Sequence, residues 1–315
     1  MIITITLNPA IDKTAAIDSF VVGGLNRLAA TRSDAGGKGI NVSRTIHALG
    51  LDSVATGFLG RANDALFKDC FAANGITDRF VMVEGSTRTN IKLVEPDGRL
   101  TEINEPGPRI GSDAIDALWK VIDGYAGDGA LFVLSGSLPQ GIGTDVYGRI
   151  IDRVRVKGAK VILDADGPAF AQAITHGPTV VKPNDHEIAG FFGCSHQPDG
   201  TELVAMGRRL LAFGPQLACI SRGDNGALML QGNRAWSCAA LHVPVRSTVG
   251  AGDAMVAALA CAFEQDLDAP EAFRLAMATA AGAVGTEGTQ PPARQTVERL
   301  MHDVDIHELD ILDAD

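Results

Sequence analysis

The chain is poor in features that would cross-link a protein, bind it to a membrane or attract it to a polyanion. Its five cysteines are Cys70, Cys194, Cys219, Cys238 and Cys261, and no two lie within four residues of each other. That scatter excludes paired zinc ligands, and the odd count points away from a disulfide framework. Reduced, buried thiols in a cytoplasmic protein are the expectation. No apolar run approaches the ~18 residues of a membrane-spanning helix, so no membrane partner is expected. The N-terminus enters a strand-like run, Ile2-Ile3-Thr4-Ile5-Thr6-Leu7, without the charged region or cleavage site of a secretion leader. An excess of positive charge is also missing: the formal net charge is −11, which argues against non-specific binding of nucleic acid. An anionic small molecule is not excluded, because a local cluster of Lys, Arg and backbone N–H groups decides that.

The composition itself, 46% hydrophobic and 21% charged over 315 residues, is ordinary for a globular chain with a sizeable core. Strand-like and helix-like segments alternate. Strands are expected at 2–7, 53–59, 129–135, 159–164, 178–182 and 216–221. Helices are expected at 38–49, 63–74, 112–125, 144–157, 200–213, 250–265 and 269–286. Runs such as Ala130-Leu131-Phe132-Val133-Leu134 suit parallel strands covered on both faces, and the alternation implies a doubly wound α/β sheet.

Two regions break the pattern. Residues 13–35 read as two strands separated by Gly23-Gly24. Residues 88–105 read as a hairpin turning at Pro96-Asp97-Gly98, since Asp-Gly between alternating runs is a strong turn signal. Together they predict a small separate sheet, either a lid over the main sheet's edge or an arm for contact between subunits. The stretch from Met301 to Asp315 carries six acidic residues. It reads as a solvated surface tail, with a short edge strand at Val304-Asp305-Ile306 as the other option.

Several short motifs carry possible chemistry. Ser247-Thr248-Val249-Gly250-Ala251-Gly252-Asp253 opens a helix. Its glycines let backbone N–H groups approach an anion, and the helix start adds partial positive charge. Asp253 there is either a helix cap or a base beside a transferring phosphoryl group. Ala35-Gly36-Gly37-Lys38-Gly39-Ile40-Asn41-Val42 opens another helix. No Ser or Thr follows its Gly-Lys, so it is not a P-loop. It also lacks the third glycine and leading strand of a dinucleotide site, which disfavours a NAD-dependent dehydrogenase. What remains is an anion- or hydroxyl-binding turn, or a structural one.

Asp12, in Asn8-Pro9-Ala10-Ile11-Asp12, either holds sugar hydroxyls or caps a turn. In Lys182-Pro183-Asn184-Asp185-His186-Glu187, Asn184 and Glu187 are three apart at a helix start. They suit a hydrated magnesium ion, or simply a capping box; His186 reads as a surface residue. Ser221-Arg222-Gly223-Asp224-Asn225-Gly226 joins a strand to a hairpin and either lines a nucleotide or only turns. Ser137, in Ser135-Gly136-Ser137-Leu138-Pro139, has the same two readings. Arg88 supplies a phosphate-binding guanidinium or sits on the surface. Most of these motifs fall at strand ends on one edge of one sheet, where open α/β sheets bind ligands.

With both glycine motifs in this order, the chain resembles a ribokinase-like (PfkB-type) carbohydrate kinase over nearly its whole length. Thr6-Leu7-Asn8-Pro9-Ala10-Ile11-Asp12, Asn90-Ile91-Lys92 and Thr101-Glu102-Ile103-Asn104-Glu105-Pro106-Gly107-Pro108 look like the 1-phosphofructokinase branch. The tagatose-6-phosphate and minor 6-phosphofructokinase branches share much of that pattern. The resemblance implies one kinase domain over 1–315, with lid strands from about 13–35 and 88–105. It implies ATP- and magnesium-dependent phosphorylation of a ketohexose monophosphate, fructose 1-phosphate first, with tagatose 6-phosphate and fructose 6-phosphate as alternatives. A non-catalytic sugar-phosphate sensor is the alternative of a different class, and the retained Asp253 argues against it.

In this reading Asp253 is the base, and the N–H groups of Gly250, Ala251 and Gly252 stabilise the transferring phosphoryl. Asp12, Gly37, Lys38 and Asn41 hold the sugar, with Arg88 and Ser137 at its phosphate. Lys182, Asn184, Glu187, Ser221, Gly223 and Gly226 serve the nucleotide, with magnesium at Asn184 and Glu187 through water. A homodimer through the lid and a monovalent cation near Ser247, Val249 and the 283–290 loop are further implications. Two positions depart from the pattern. Ala254 replaces a frequent serine, and Asp164-Ala165-Asp166-Gly167 replaces Asp-Ser/Thr-Ser-Gly, with Asp166 expected to point away from the site.

Overall fold

The computed structural model describes residues 1–309. The acidic stretch beyond Leu309 that the sequence reads as a solvated tail lies outside them. An eleven-stranded sheet runs in the order Ile306–Glu308, Arg234–Cys238, Ala227–Gln231, Leu217–Ser221, Val180–Val181, Lys160–Asp164, Leu131–Ser135, Ile2–Thr6, Ser53–Gly60 and Thr77–Asp78, with Val81–Val83 also on Ser53–Gly60. Pairs from Leu217–Ser221 across to Thr77–Asp78 are parallel, and only the three pairs at the opposite edge are antiparallel. The order reverses at Ile2–Thr6, which lies between Leu131–Ser135 and Ser53–Gly60. A switch point of that kind leaves a crevice beyond the strands' carboxyl ends.

The central parallel strands are buried along nearly their whole length because both faces are covered. One face packs against the helices Lys38–Ala48, Ala251–Glu264, Ala269–Val284 and Arg294–Met301 through residues such as Val42, Ile46, Val256, Leu259, Phe273 and Leu300. The other carries Ser112–Tyr125, Val146–Arg155, Gly167–Ala173, Asp185–Phe191 and Gly200–Leu211, through Leu118, Ile150, Phe170, Ile188 and Leu203. The helix Ala251–Glu264 is buried from Asp253 to Ala262. Its small side chains let it sit between the sheet and Ala269–Val284.

The second sheet is the predicted small separate one, called the lid below for its place over the main sheet's edge. It has four strands in the order Ala30–Gly36, Ala10–Ala16, Arg88–Val94 and Leu100–Asn104. Its first strand begins at Ala10, earlier than the expected boundary of 13. The expected hairpin is present, with Val94 opposite Leu100.

Among the main strands, 178–182 shortens to Val180–Val181. The helix Gly167–Ala173 was not anticipated, because Gly167-Pro168 reads as a turn. Pro at the first or second helical position after an extended residue, Asp166, is in fact a favourable start. Arg294–Met301 was likewise missed. The edge strand expected around 304–306 forms at Ile306–Glu308 on Arg234–Cys238. All five cysteines are free thiols, but only Cys219, Cys238 and Cys261 are buried. Cys70 and Cys194 are half-buried, a correction to the expectation of uniformly buried thiols. No helix among the described residues is long and apolar enough to cross a membrane.

Candidate active site

A cavity of about 1170 Å³ lies over the carboxyl ends of the parallel strands, between the main sheet and the lid. Consecutive strands deliver Asp164, Lys182 and Ser221 to its floor. The lid supplies Asp12, Arg88, Asn90, Lys92, Glu102 and Asn104 as its roof.

Two helix starts face this space. Gly37 precedes the helix Lys38–Ala48 with φ at 115°, and a Cβ there would meet Thr6 Cγ2 at 2.9 Å and Pro9 Cα at 3.0 Å. Glycine is needed on both counts, conformation and space. Gly250 precedes Ala251–Glu264 in the left-handed region at φ 87°, and neither helix start has a side-chain cap. Their first N–H groups therefore lack intrahelical partners and remain available to an anion.

Asp253 sits in the first turn but does not cap the helix. Its Oδ2 accepts a 2.8 Å hydrogen bond from Asn41 Nδ2, joining the two glycine motifs. Burial pushes the Asp253 carboxyl up to about 6, reinforced by the negative charge of Asp164 and opposed by Lys38, Asn41 and Lys182. A carboxyl poised there is partly ready to accept a proton and largely ionised at neutral pH.

Asp164 anchors the charge pattern. It is 2% exposed, with Lys182 Nζ at 3.3 Å from Oδ1 and Lys38 Nζ at 3.5 Å from Oδ2. Burial alone would raise its pKa, but the two ammonium groups outweigh it and hold the carboxylate below its ordinary value. Asp164 in turn raises the Lys38 ammonium well above its ordinary value despite burial. The result is two fixed cations beside one desolvated base, the pattern expected around a transferring phosphoryl group. Asp166, the extra carboxylate, is exposed as expected.

The residues expected to serve a nucleotide line the same cavity. Asn184 and Glu187 form a complete capping box: Asn184 Oδ1 accepts from Glu187 N at 2.7 Å, and Asn184 N donates to Glu187 Oε2 at 2.8 Å. The capping reading is thus realised, while Glu187 Oε1 and the Asn184 amide nitrogen are left for other partners. Among the described residues no group of three or more His, Cys, Asp or Glu side chains forms a metal cage. Apart from their ion pairs with Lys182 and Lys38, the two Asp164 oxygens are buried without a hydrogen-bond partner. This donor set suits a magnesium ion that keeps its waters and is held mainly by phosphates. Ser221, Gly223 and Gly226 line the cavity as well.

Every residue predicted for the site lines this cavity except Ser137. Its exposed hydroxyl accepts from Asn8 Nδ2 at 3.3 Å and keeps its own proton free to donate. Arg88 reaches the cavity but spends donors on backbone: Nε and Nη2 on Asn8 O, and Nη1 on Glu105 O. Sequence reasoning missed Asp164 and Lys92. A carboxylate directly after the apolar strand Val161-Ile162-Leu163 was a signal for the first. Two-residue periodicity from Arg88 through Asn90 to Lys92 was a signal for the second.

Fold and site together define a carbohydrate kinase: the sequence pattern of the pfkB family carbohydrate kinases matches residues 3–296, and the chain belongs to that family. It is 39% identical over 311 residues to a 1-phosphofructokinase of Rhodobacter capsulatus, covering 98% of each chain. It is 32% identical to the 1-phosphofructokinase of Bacillus subtilis, covering 98% of this chain and 100% of that one. The structure of Escherichia coli phosphofructokinase-2 in complex with potassium matches with a TM-score of 0.90 at 26% identity, over 96% of this chain and 98% of that one.

Proposed function

We propose that this protein transfers the γ-phosphoryl of ATP to the 6-hydroxyl of fructose 1-phosphate, giving fructose 1,6-bisphosphate and ADP. The observation that carries the reaction type is Asp253: buried, raised to about 6, bonded to Asn41 and set at an uncapped helix start. The substrate choice rests on full-length similarity to 1-phosphofructokinases at 32–39% identity.

Asp253 takes the proton of the attacking hydroxyl. That oxygen bonds to the γ-phosphorus as the bond from phosphorus to the β,γ-bridging oxygen breaks, leaving ADP. The N–H groups of Gly250, Ala251 and Gly252, with Lys38, offset the charge on the transferring group. Asp12, Gly37, Lys38 and Asn41 hold the sugar, with Arg88 and Ser137 at its phosphate. Lys182, Asn184, Ser221, Gly223 and Gly226 hold ATP, and Glu187 with Asn184 holds magnesium through water. Magnesium, when bound, neutralises phosphate charge. Lid closure excludes water and limits ATP hydrolysis.

The whole chain acts as one kinase domain, in the cytoplasm. A homodimer through the lid is supported by exposed apolar residues of the loop joining Ala10–Ala16 to Ala30–Gly36, including Val22 at 88% and Leu25 at 77% exposure. A monovalent cation site is supported by the potassium-bound relative. Purified enzyme assayed for ADP release with fructose 1-phosphate, fructose 6-phosphate and tagatose 6-phosphate tests the substrate. The highest kcat/KM is expected on fructose 1-phosphate; faster turnover of either 6-phosphate contradicts it.

A further inference from the structure

Asp12 is an awkward residue for a site that must accept a phosphorylated sugar. It is 8% exposed, and a buried carboxylate facing a dianion repels it across a poorly screened gap. The lid contains an arrangement that answers this. Parallel pairing of Ala10–Ala16 with Arg88–Val94 sets Ala10 beside Arg88, Asp12 beside Asn90 and Thr14 beside Lys92. Asn90 Nδ2 donates to Asp12 Oδ1 at 3.2 Å, and Lys92 Nζ reaches Asp12 Oδ2 at 3.2 Å. Lys92 is Asp12's only ion-pair partner among the described residues, and the two side chains are 13% and 11% exposed. On the other flank, a Cβ at Gly36 would lie 2.6 Å from Asp12 Oδ2, so the neighbouring strand closes over the carboxylate. Confined in this way, Asp12 has the cavity as its open side, and both it and Lys92 line it.

We infer that Lys92 is a positioning residue for the phosphosugar. It holds Asp12 as an oriented carboxylate that can accept sugar hydroxyls, and it cancels the repulsion Asp12 would exert on the phosphate. The inference rests on the sugar-phosphate kinase reading above. It assigns Lys92 no direct contact with the phosphate, and this makes it separable by a double-mutant cycle. Lys92→Gln keeps length and a hydrogen-bond donor but loses the charge. It raises the KM for fructose 1-phosphate about 10–100-fold, as expected for a lost charge-assisted bond, and leaves the KM for ATP within about threefold. In an Asp12→Asn background the same change costs less than about threefold, because no carboxylate remains to be held or neutralised. Lys92→Arg, which retains the charge, recovers the wild-type KM to within about fivefold. An equal cost of Lys92→Gln in both backgrounds overturns the inference, as does an unchanged KM in the single variant or an Arg variant as impaired as the Gln one. If wild-type enzyme prefers a 6-phosphate sugar, the substrate proposal fails by itself, and the same cycle is then read on that sugar.

Discussion

Two helices open onto the cavity, and they treat their first turns in opposite ways. The helix Asp185–Phe191 satisfies its own start, with Asn184 and Glu187 each bonded to the other's backbone N–H. The helix Ala251–Glu264 begins at Gly250 with no side-chain cap, and the carboxylate in its first turn is turned away to Asn41. A capped start is a stable structural corner. An uncapped start, buried along its length, keeps donors and a desolvated base ready for a ligand that carries negative charge. The difference teaches that aspartate at a helix start is not itself a sign of capping, and that the bond it makes decides.

The largest expected effect breaks the uncapped side. Asp253→Asn lowers kcat by roughly 10²–10⁴-fold, the range for a lost positioned base. Its affinity for fructose 1-phosphate, measured by calorimetry, stays within a few-fold of wild type.

The same substitution should make the protein more stable. The folded-state pKa of Asp253, about 6, lies above its ordinary 3.8. The folded state therefore binds this proton more tightly than the unfolded one. The associated stability is fully present below about 4 and is lost as pH rises through 6. At pH 8 the ionised carboxylate costs about 2–3 kcal/mol, which asparagine removes. Asp253→Asn should melt several degrees higher at pH 8, with the gain shrinking toward pH 4. A variant that melts lower at pH 8 would show that the burial cost has been offset elsewhere.

Gly250→Ala follows. Thr289 lies at 3.4 Å from the added Cβ, so space is nearly sufficient, but φ at 87° is strained for alanine. Stability falls by about 1–2 kcal/mol in denaturant titration, and kcat falls roughly 10–100-fold as the donors move. On the capped side the effect is smallest. Asn184→Ala costs about 1 kcal/mol of stability, the usual worth of an N-cap. Under the proposed roles it also raises the KM for ATP a few-fold while sparing the KM for the sugar.

Much of the fold was legible because its strongest signals are local. Apolar runs marked the parallel strands, and Pro96-Asp97-Gly98 marked the lid hairpin between Val94 and Leu100. Elements read poorly where punctuation misleads, as at Gly167-Pro168, or where a strand is only two residues long, as at Val180–Val181. At the site, glycine motifs marked the helix starts that open onto the cavity. Partnership between distant residues could not be read. That Asp164 stands between Lys38 and Lys182, that Asn41 reaches Asp253, and that Lys92 holds Asp12 depend on sheet order and register. Ser137 shows the converse: its motif sits at a strand end, yet it does not line the cavity.

The claim that Asp253 receives the proton of the attacking hydroxyl is tested most directly by kcat as a function of pH, at saturating fructose 1-phosphate and magnesium-ATP. In wild type, kcat should fall about tenfold per pH unit below an apparent pKa near 6, and the residual rate of Asp253→Asn should lack that limb. A wild-type profile flat down to pH 4.5, or an Asp253→Asn profile with the same limb, would contradict the account.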